Sequence, residues 1–140
     1  MTYVSLELRR QVSEDAHHRC GYCLMDEAVS GVPLTMDHIL PQFLGGMTIR
    51  ENLWLACRSC NEYNSTRIQI KDPETGMIVR LFHPREMKWS EHFMWSAEHA
   101  EIIGLTPTGR ATLEALKLNR PMLVKARRRW VLSGWHPPAD

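Results

Sequence analysis

The sequence has no long hydrophobic segment. None of its apolar runs approaches the roughly 18 to 20 residues that a helix needs to cross a bilayer. Residues 1–10 also lack the basic start and the apolar core that a secretory signal peptide requires. These two absences argue against a membrane-spanning or secreted protein, and we expect a cytoplasmic location without a membrane partner.

Cysteine is scarce and confined to two short motifs. The chain of 140 residues contains 4 cysteines, which form the CxxC pairs Cys20/Cys23 and Cys57/Cys60. Each CxxC turn can direct both of its sulfur atoms at one point, and four thiolates complete the tetrahedral shell of Zn²⁺. Two disulfides in a secreted protein are the alternative, but a reducing cytoplasm favours metal ligands. We therefore predict a structural zinc site.

Acidic and basic residues nearly balance overall, with a net charge of +1, yet they are unevenly distributed. Residues 1–72 hold 7 Lys/Arg against 9 Asp/Glu, residues 73–106 hold 3 against 5, and residues 107–140 hold 7 against 2. Local positive charge favours polyanion binding, since bound cations displace the counterions condensed on nucleic acid. An ordinary solvated helix face is the other interpretation of this last segment.

Hydrophobic residues make up 44% of the chain, which is enough for one moderate core. The residue pattern predicts a helix over 6–18, a short strand that ends near Asp37, and an irregular loop over 41–50. Residues 52–57 lead into the second cysteine pair, and a short helical stretch over 58–66, which holds Asn61, should follow. His38 would then stand at the end of the first strand, between the two cysteine pairs.

The pattern after residue 67 predicts further hairpins and helices. Alternation around a Pro/Gly turn indicates a hairpin within 68–82, and a second strand pair is expected from 92–96 and 100–105. Thr106 followed by Pro107 is typical of a helix start, so we predict helices over 108–118 and from 121 to about 132. Tryptophans of this half either pack in the core, the more common role, or stack on unpaired bases. They are Trp89, Trp95, Trp130 and Trp135.

Three motifs occur in a fixed order along the first half. CxxC at 20–23 is followed by DHIxPxxxGG at 37–46 and by ENLxxxCxxCN at 51–61. A lone Asp-His pair would indicate no more than hydrogen bonding at a strand end, but the ordered set resembles the HNH endonucleases over residues 12–67. The segments HFMW at 92–95 and GLTPTGRATLEAL at 104–116 resemble the region that follows the nuclease core in some bacterial HNH proteins.

This resemblance implies a fold. HNH nucleases have a compact core called a ββα-metal fold, so we expect an α+β protein in which this core is held together by the four-cysteine zinc site. Hairpins and two C-terminal helices should follow the core. We place the core in residues 1–72 and an extension packed on it in residues 73–140.

The resemblance also implies a metal-dependent endonuclease that hydrolyses DNA phosphodiester bonds. That reaction needs a deprotonated water and a cation that stabilises the charge on the phosphate. His38 is expected to act as the general base, while Asp37 and Asn61 offer the oxygen ligands that Mg²⁺ or Mn²⁺ prefers. Asn52 matches the family residue that fixes the loop and orients the histidine.

One position departs from the family pattern. Relatives often carry a lysine three residues after the asparagine of the CN dipeptide, where this chain has Asn64. Arg58 or Arg67 can take over a phosphate contact there. The basic C-terminal segment adds three candidates for contacts with the DNA backbone: Lys125, Arg127 and Arg128.

A second function class stays open from the sequence alone. A non-catalytic, zinc-stabilised nucleic-acid-binding module would keep the fold without the cleavage. The intact set of Asp37, His38 and Asn61 favours the enzyme, because a module that only binds nucleic acid has no physical need of these residues.

Overall fold

The computed structural model describes residues 3–64 and 67–139. The elements of the first half are α1 (Leu6–Asp15), α2 (Glu27–Ser30), β1 (Thr35–His38), β2 (Leu53–Ala56) and α3 (Arg58–Asn64). Those of the second half are β3 (Gln69–Lys71), β4 (Ile78–Arg80), α4 (Trp89–His92), β5 (Phe93–Trp95), β6 (Ile102–Gly104), α5 (Pro107–Ala115) and α6 (Pro121–Leu132). The last two residues of the predicted 58–66 helix lie outside the described residues.

The first half is built on one short hairpin. Strands β1 and β2 are antiparallel, with Asp37 opposite Trp54 and His38 opposite Leu53. Helix α3 packs against β1, and α1 packs against β2. This strand, strand and helix arrangement, together with the four-cysteine cluster, confirms the predicted α+β fold with a ββα core.

Helix α1 begins and ends for local reasons. The side chain of Ser5 accepts a hydrogen bond from the backbone N–H of Leu8, which caps the first turn. Its inward face buries Val12 completely. The helix ends at Asp15 and not at His18 as predicted, because His17 and His18 adopt left-handed backbone conformations with φ of 53° and 58°.

The predicted loop after His38 contains two short 3₁₀ turns, Gln42–Leu44 and Arg50–Asn52. Gly45 adopts a φ of 92°, a conformation that favours glycine. A Cβ at Gly46 would collide with the carbonyl oxygen of Leu40, so no larger residue fits there. The Gly-Gly pair therefore folds this loop back onto its own start.

The second half adds two antiparallel hairpins, β3–β4 and β5–β6, and the helices α5 and α6, all of which were predicted. It also contains the short helix α4, which was not predicted. Thr106 accepts a hydrogen bond from the N–H of Gly109 with Pro107 in the first turn, so the predicted helix start is confirmed. Contacts cross between the halves: Asp15 forms an ion pair with Arg85 at 2.9 Å. The division at residue 72 stays a prediction.

The core gathers around the cysteines. Tyr22, Leu55, Phe82, Phe93 and Leu116 are among its buried residues. Of the four tryptophans in the second half, Trp89, Trp95 and Trp130 pack against it, whereas Trp135 is 59% exposed. No helix among the described residues is long and apolar enough to span a membrane.

Candidate metal centre and reaction site

The four cysteines form one buried cluster. Their sulfur atoms all lie within 4.8 Å of one another. The turn after α1 supplies Cys20 and Cys23, Cys57 follows directly after β2, and the first turn of α3 supplies Cys60. Four thiolates converging on one point are a closed donor set that fits tetrahedral Zn²⁺. The cluster is thus positioned to bind a metal ion, in agreement with a structural zinc site.

The thiols interact with one another and with a neighbouring arginine. Cys23 Sγ lies 3.7 Å from Cys57 Sγ. Hydrogen bonding from Cys20 lowers the pKa of the Cys57 thiol, whereas burial raises the pKa of Cys20. Arg120 donates to Cys57 Sγ at 3.4 Å and to Cys60 Sγ at 3.8 Å. The residue that precedes α6 therefore places a positive charge against the sulfur cluster.

Arg127 occupies a position that the sequence analysis did not predict. It is fully buried, and its guanidinium donates to the carbonyl oxygens of Ala100 at 3.2 Å and Leu118 at 2.8 Å. It also lies 5.2 Å from the centre of the Trp95 ring. Burial lowers its pKa to about 10, an effect that the charge of Cys23 opposes. The prediction that Arg127 contacts DNA is therefore wrong, because its charged group has no path to a phosphate.

The other predicted phosphate contacts lie at the surface. Lys125 and Arg128 are exposed on α6. Arg58 is exposed and pairs with Glu62 at 3.0 Å. Arg67 donates to the carbonyl oxygens of Tyr63 and Ala115. These four side chains keep the accessibility that a phosphate contact requires.

Asp37 lies on the side of β1 that faces α3. It is 3% exposed, and its Oδ2 accepts a hydrogen bond from the Tyr22 hydroxyl at 2.8 Å. Burial raises the pKa of Asp37 to about 6, although the hydrogen bond from Tyr22 opposes this rise. A carboxylate removed from water in this way is stabilised by a nearby cation, so its environment fits the role of a metal ligand.

His38 is the last residue of β1, and its ring is directed towards the following loop. Its Nε2 lies 2.9 Å from the hydroxyl of Thr48. Burial lowers the pKa of His38, so the imidazole is neutral near physiological pH. A neutral imidazole held by one nitrogen is suited to accept a proton at the other.

Asn52 holds the loop that carries Thr48. Its Oδ1 accepts from the N–H of Leu40 at 2.8 Å, and its Nδ2 donates to the carbonyl oxygens of Leu40 at 3.0 Å and Met47 at 2.9 Å. Both ends of the loop are thereby tied to one amide. Because Thr48 follows Met47, this clamp also places the hydroxyl that contacts His38.

Asn61 lies on α3 but is not hydrogen-bonded to Asp37 within the described residues. Its Nδ2 donates to the hydroxyl of Thr35 at 3.3 Å, two residues before Asp37 on the same side of β1. One helical turn later, Asn64 Nδ2 donates to the Tyr22 hydroxyl at 3.3 Å. The helix residue connected with Asp37 is therefore Asn64, through Tyr22.

Tyr22 and Asn64 were not assigned a role from the sequence. Their signals were present, since Tyr22 lies inside the first CxxC motif and Asn64 occupies the position where relatives often have lysine. Both also line a cleft of about 250 Å³ between the core and the β3–β4 hairpin. Arg67 and Arg80 contribute positive charge to the same cleft.

Comparison with known proteins supports the same region. Residues 20–67 match the family model described as HNH endonuclease. No curated protein and no solved structure matched the chain. The matched segment contains both cysteine pairs, Asp37, His38 and Asn61, and it ends before the second half begins. The recognition made from the three motifs is therefore confirmed: residues 20–67 match an HNH endonuclease domain, and this match suggests a nuclease or nucleic-acid-binding role.

Proposed function

We propose that the protein is a metal-dependent endonuclease that hydrolyses phosphodiester bonds in DNA. His38 is the general base, and Asp37 and Asn61 are the ligands of a divalent ion, Mg²⁺ or Mn²⁺. One observation carries this proposal: two groups with complementary properties occupy adjacent positions at the end of β1. The carboxylate of Asp37 is buried and would be stabilised by a cation, while the imidazole of His38 is neutral and held in a fixed orientation.

The hydrogen bond between His38 Nε2 and the Thr48 hydroxyl supports this role in one of the two neutral tautomers of the ring. When Nε2–H donates to the Thr48 hydroxyl oxygen, Nδ1 is left without a proton and can take one from water. The loop clamp at Asn52 keeps Thr48 in place during this transfer. His38 therefore supplies an acceptor that is both neutral and fixed in direction.

The carboxylate of Asp37 and the amide of Asn61, on the other side of β1, have a different role. A divalent ion bound there would stabilise the charge on the phosphate and on the leaving 3′ oxygen. Asp37 and Asn61 supply hard oxygen atoms of the kind that such an ion prefers. Binding should strengthen above pH 6, since the carboxyl of Asp37 ionises with a pKa of about 6 when no cation is bound.

DNA as the substrate agrees with the distribution of charge. Residues 107–140 hold 7 Lys/Arg against 2 Asp/Glu, and Lys125 and Arg128 are exposed there. Such side chains contact the phosphate backbone without selecting a sequence. The competing proposal is a zinc-stabilised module that binds nucleic acid without cleaving it, and the same charges would serve it equally.

A nicking assay separates the two proposals. Supercoiled plasmid is incubated with the zinc-loaded protein and Mg²⁺, Mn²⁺ or EDTA, while anisotropy of a labelled duplex reports binding under the same conditions. The enzyme produces nicked or linear plasmid with a divalent ion and none with EDTA. Binding without any cleavage in Mg²⁺ or Mn²⁺ would support the non-catalytic module instead.

A further inference from the structure

Tyr22 is buried and is held in place by contacts of its backbone, its ring and its neighbours in the chain. It lies between Cys20 and Cys23 and is 1% exposed. Its carbonyl oxygen accepts from Trp89 Nε1 at 2.9 Å, and its ring meets the edge of Phe82 with centroids 6.5 Å apart. The two flanking cysteines belong to the sulfur cluster. Its hydroxyl group is therefore presented from a rigid turn.

The hydroxyl of Tyr22 connects two polar side chains. A phenol has one proton to donate, and here Asp37 Oδ2 accepts it at 2.8 Å. The phenol oxygen in turn accepts from Asn64 Nδ2 at 3.3 Å. Asn64 is 4% exposed, and its Oδ1 has no hydrogen-bond partner within the described residues. The amide therefore adds a donor to Tyr22 and orients the phenol proton towards the carboxylate.

This bond occupies one of the two carboxylate oxygens. Within the described residues, Oδ1 of Asp37 has no hydrogen-bond partner, while Oδ2 is held by Tyr22. A carboxylate otherwise rotates about its Cβ–Cγ bond, and a ligand that must be oriented first binds a cation less tightly. Partners that orient a metal ligand commonly change metal affinity by about 10- to 100-fold when they are removed.

We infer that Tyr22 is a positioning residue for Asp37: it holds Oδ2 and leaves Oδ1 for the divalent cation, so the zinc-binding turn sets the direction of the carboxylate. Asn64 assists by holding the phenol. The inference rests on the proposed function in one respect, namely that a divalent ion binds at Asp37. It explains why a polar, fully buried tyrosine stands inside the first CxxC motif.

The test measures metal binding and not cleavage. Full-length, zinc-loaded protein is titrated with Mn²⁺, and the EPR signal of free Mn²⁺ gives the dissociation constant. Asp37→Ala should abolish the tight binding, and Tyr22→Phe should weaken it by about 10-fold. Tyr63→Phe is the matched control, since Tyr63 has a half-buried ring against Lys117 and no hydroxyl hydrogen bond within the described residues. It should bind Mn²⁺ like the wild type.

Two further measurements separate positioning from loss of structure. With Co²⁺ in the cysteine site, the thiolate-to-metal absorption should be the same in wild type and Tyr22→Phe, because the sulfur ligands are unchanged. Asn64→Ala should weaken Mn²⁺ binding in the same direction by a few fold, because it removes the donor that orients the phenol. An Asn64→Ala variant with intact Co²⁺ absorption and wild-type affinity would contradict the inference.

The outcomes also separate this inference from the proposed function. Wild-type Mn²⁺ affinity in Tyr22→Phe would overturn the positioning role, even if the wild-type protein cleaves DNA. Wild-type Mn²⁺ affinity in Asp37→Ala would overturn it as well, because Asp37 would then not be a ligand. If both substitutions weaken binding as expected but no cleavage is found, the positioning role stands and the nuclease proposal fails.

Discussion

The four-cysteine site and the candidate reaction site both use the β1–β2 hairpin and α3, but they are built in different ways. The four sulfur atoms lie within 4.8 Å of one another and are buried. At the reaction site each group has its own partner, since Asp37 meets Tyr22, His38 meets Thr48, and Asn61 meets Thr35. In the four-cysteine site the ligands lie against one another. In the candidate reaction site each polar group is instead held by a separate neighbouring residue.

This difference fits the chemistry that we propose for each site. A structural zinc ion needs a complete shell of soft donors and no exchange with solvent. A hydrolytic site needs a cation with free positions and a base that is not itself a ligand. Tyr22 belongs to both regions, which connects the rigid sulfur site to the carboxylate of the open one. Stability should therefore depend on the first site and catalysis on the second.

The largest expected effect comes from removing one sulfur ligand. Cys57→Ser should lose zinc and cooperative unfolding together, because zinc binding in such small modules is coupled to folding. Metal analysis should give one Zn²⁺ per wild-type chain and little in the variant, and circular dichroism should show no sharp melting transition. A folded wild-type protein that contains no zinc, or that contains a disulfide, would contradict the assignment of the four cysteines to a structural zinc site.

The next largest effect concerns the arginine buried near the sulfur cluster. Arg127→Ala should lower the free energy of unfolding by about 3 kcal/mol, because several buried carbonyl and amide oxygens lose their donor. Arg128→Ala is the matched control on the same helix and should change stability by less than about 0.5 kcal/mol. Urea denaturation compares the two. Equal effects would mean that burial of Arg127 contributes nothing to stability.

Arg128 should instead affect nucleic-acid binding, as a solvent-exposed cation. Removing one phosphate contact lowers the slope of log affinity against log salt by about 0.9. Binding isotherms over a salt series with Arg128→Ala measure this slope. An unchanged slope would indicate that the exposed cations of α6 form an ordinary solvated helix face and do not contact DNA.

Replacement of His38 should affect catalysis and leave stability unchanged, with a smaller change in free energy than the replacement of Arg127. His38→Ala should lower the cleavage rate by about 10²-fold, the scale for loss of a general base, and leave zinc content and melting unchanged. Because burial lowers the pKa of His38, the neutral form persists to lower pH, and the acid limb of the wild-type rate profile should have its midpoint below 6.5. A variant within a few fold of the wild-type rate would assign the proton transfer to another group.

The smallest effect should come from the cation beside the sulfur atoms. Arg120→Ala should speed zinc release by about 10-fold, because the thiolates of Cys57 and Cys60 lose a positively charged hydrogen-bond donor. A chromophoric chelator measures the release rate, with Arg128→Ala as the control. Release at the wild-type rate would show that the sulfur site is independent of the second half of the chain.

Much of the local structure was predictable because it depends on short-range rules. Thr106 with Pro107 starts a helix, since the threonine side chain accepts one of the first N–H groups of the helix and proline has no N–H to satisfy. The end of α1 was not predicted, because His17 and His18 adopt a left-handed turn that their residue types do not demand. That turn leads the chain from α1 into the first cysteine pair.

The candidate site was predictable where the motif itself carries the chemistry. The four cysteines were named from their spacing, and Asp37, His38 and Asn52 were named from the family resemblance that the ordered motifs carry. Arg127 was misassigned because a run of basic residues on a helix looks the same whether a given side chain is exposed or buried. The sequence shows the charges of Arg127, Arg128 and Arg129, while packing against Trp95 decides which of them is removed from solvent.

The sequence by itself determined the donor types and their spacing: two CxxC pairs that suit a soft metal ion, and the Asp-His pair to which we assign hydrolysis. Only the tertiary structure decided that Tyr22 donates to Asp37, that Asn64 and not Asn61 is connected with this carboxylate, and that Arg120 faces the sulfur atoms. The physical reason is that ligand spacing is a property of a few consecutive residues. Hydrogen-bond partners that are 15 to 63 positions apart depend instead on how the whole chain packs.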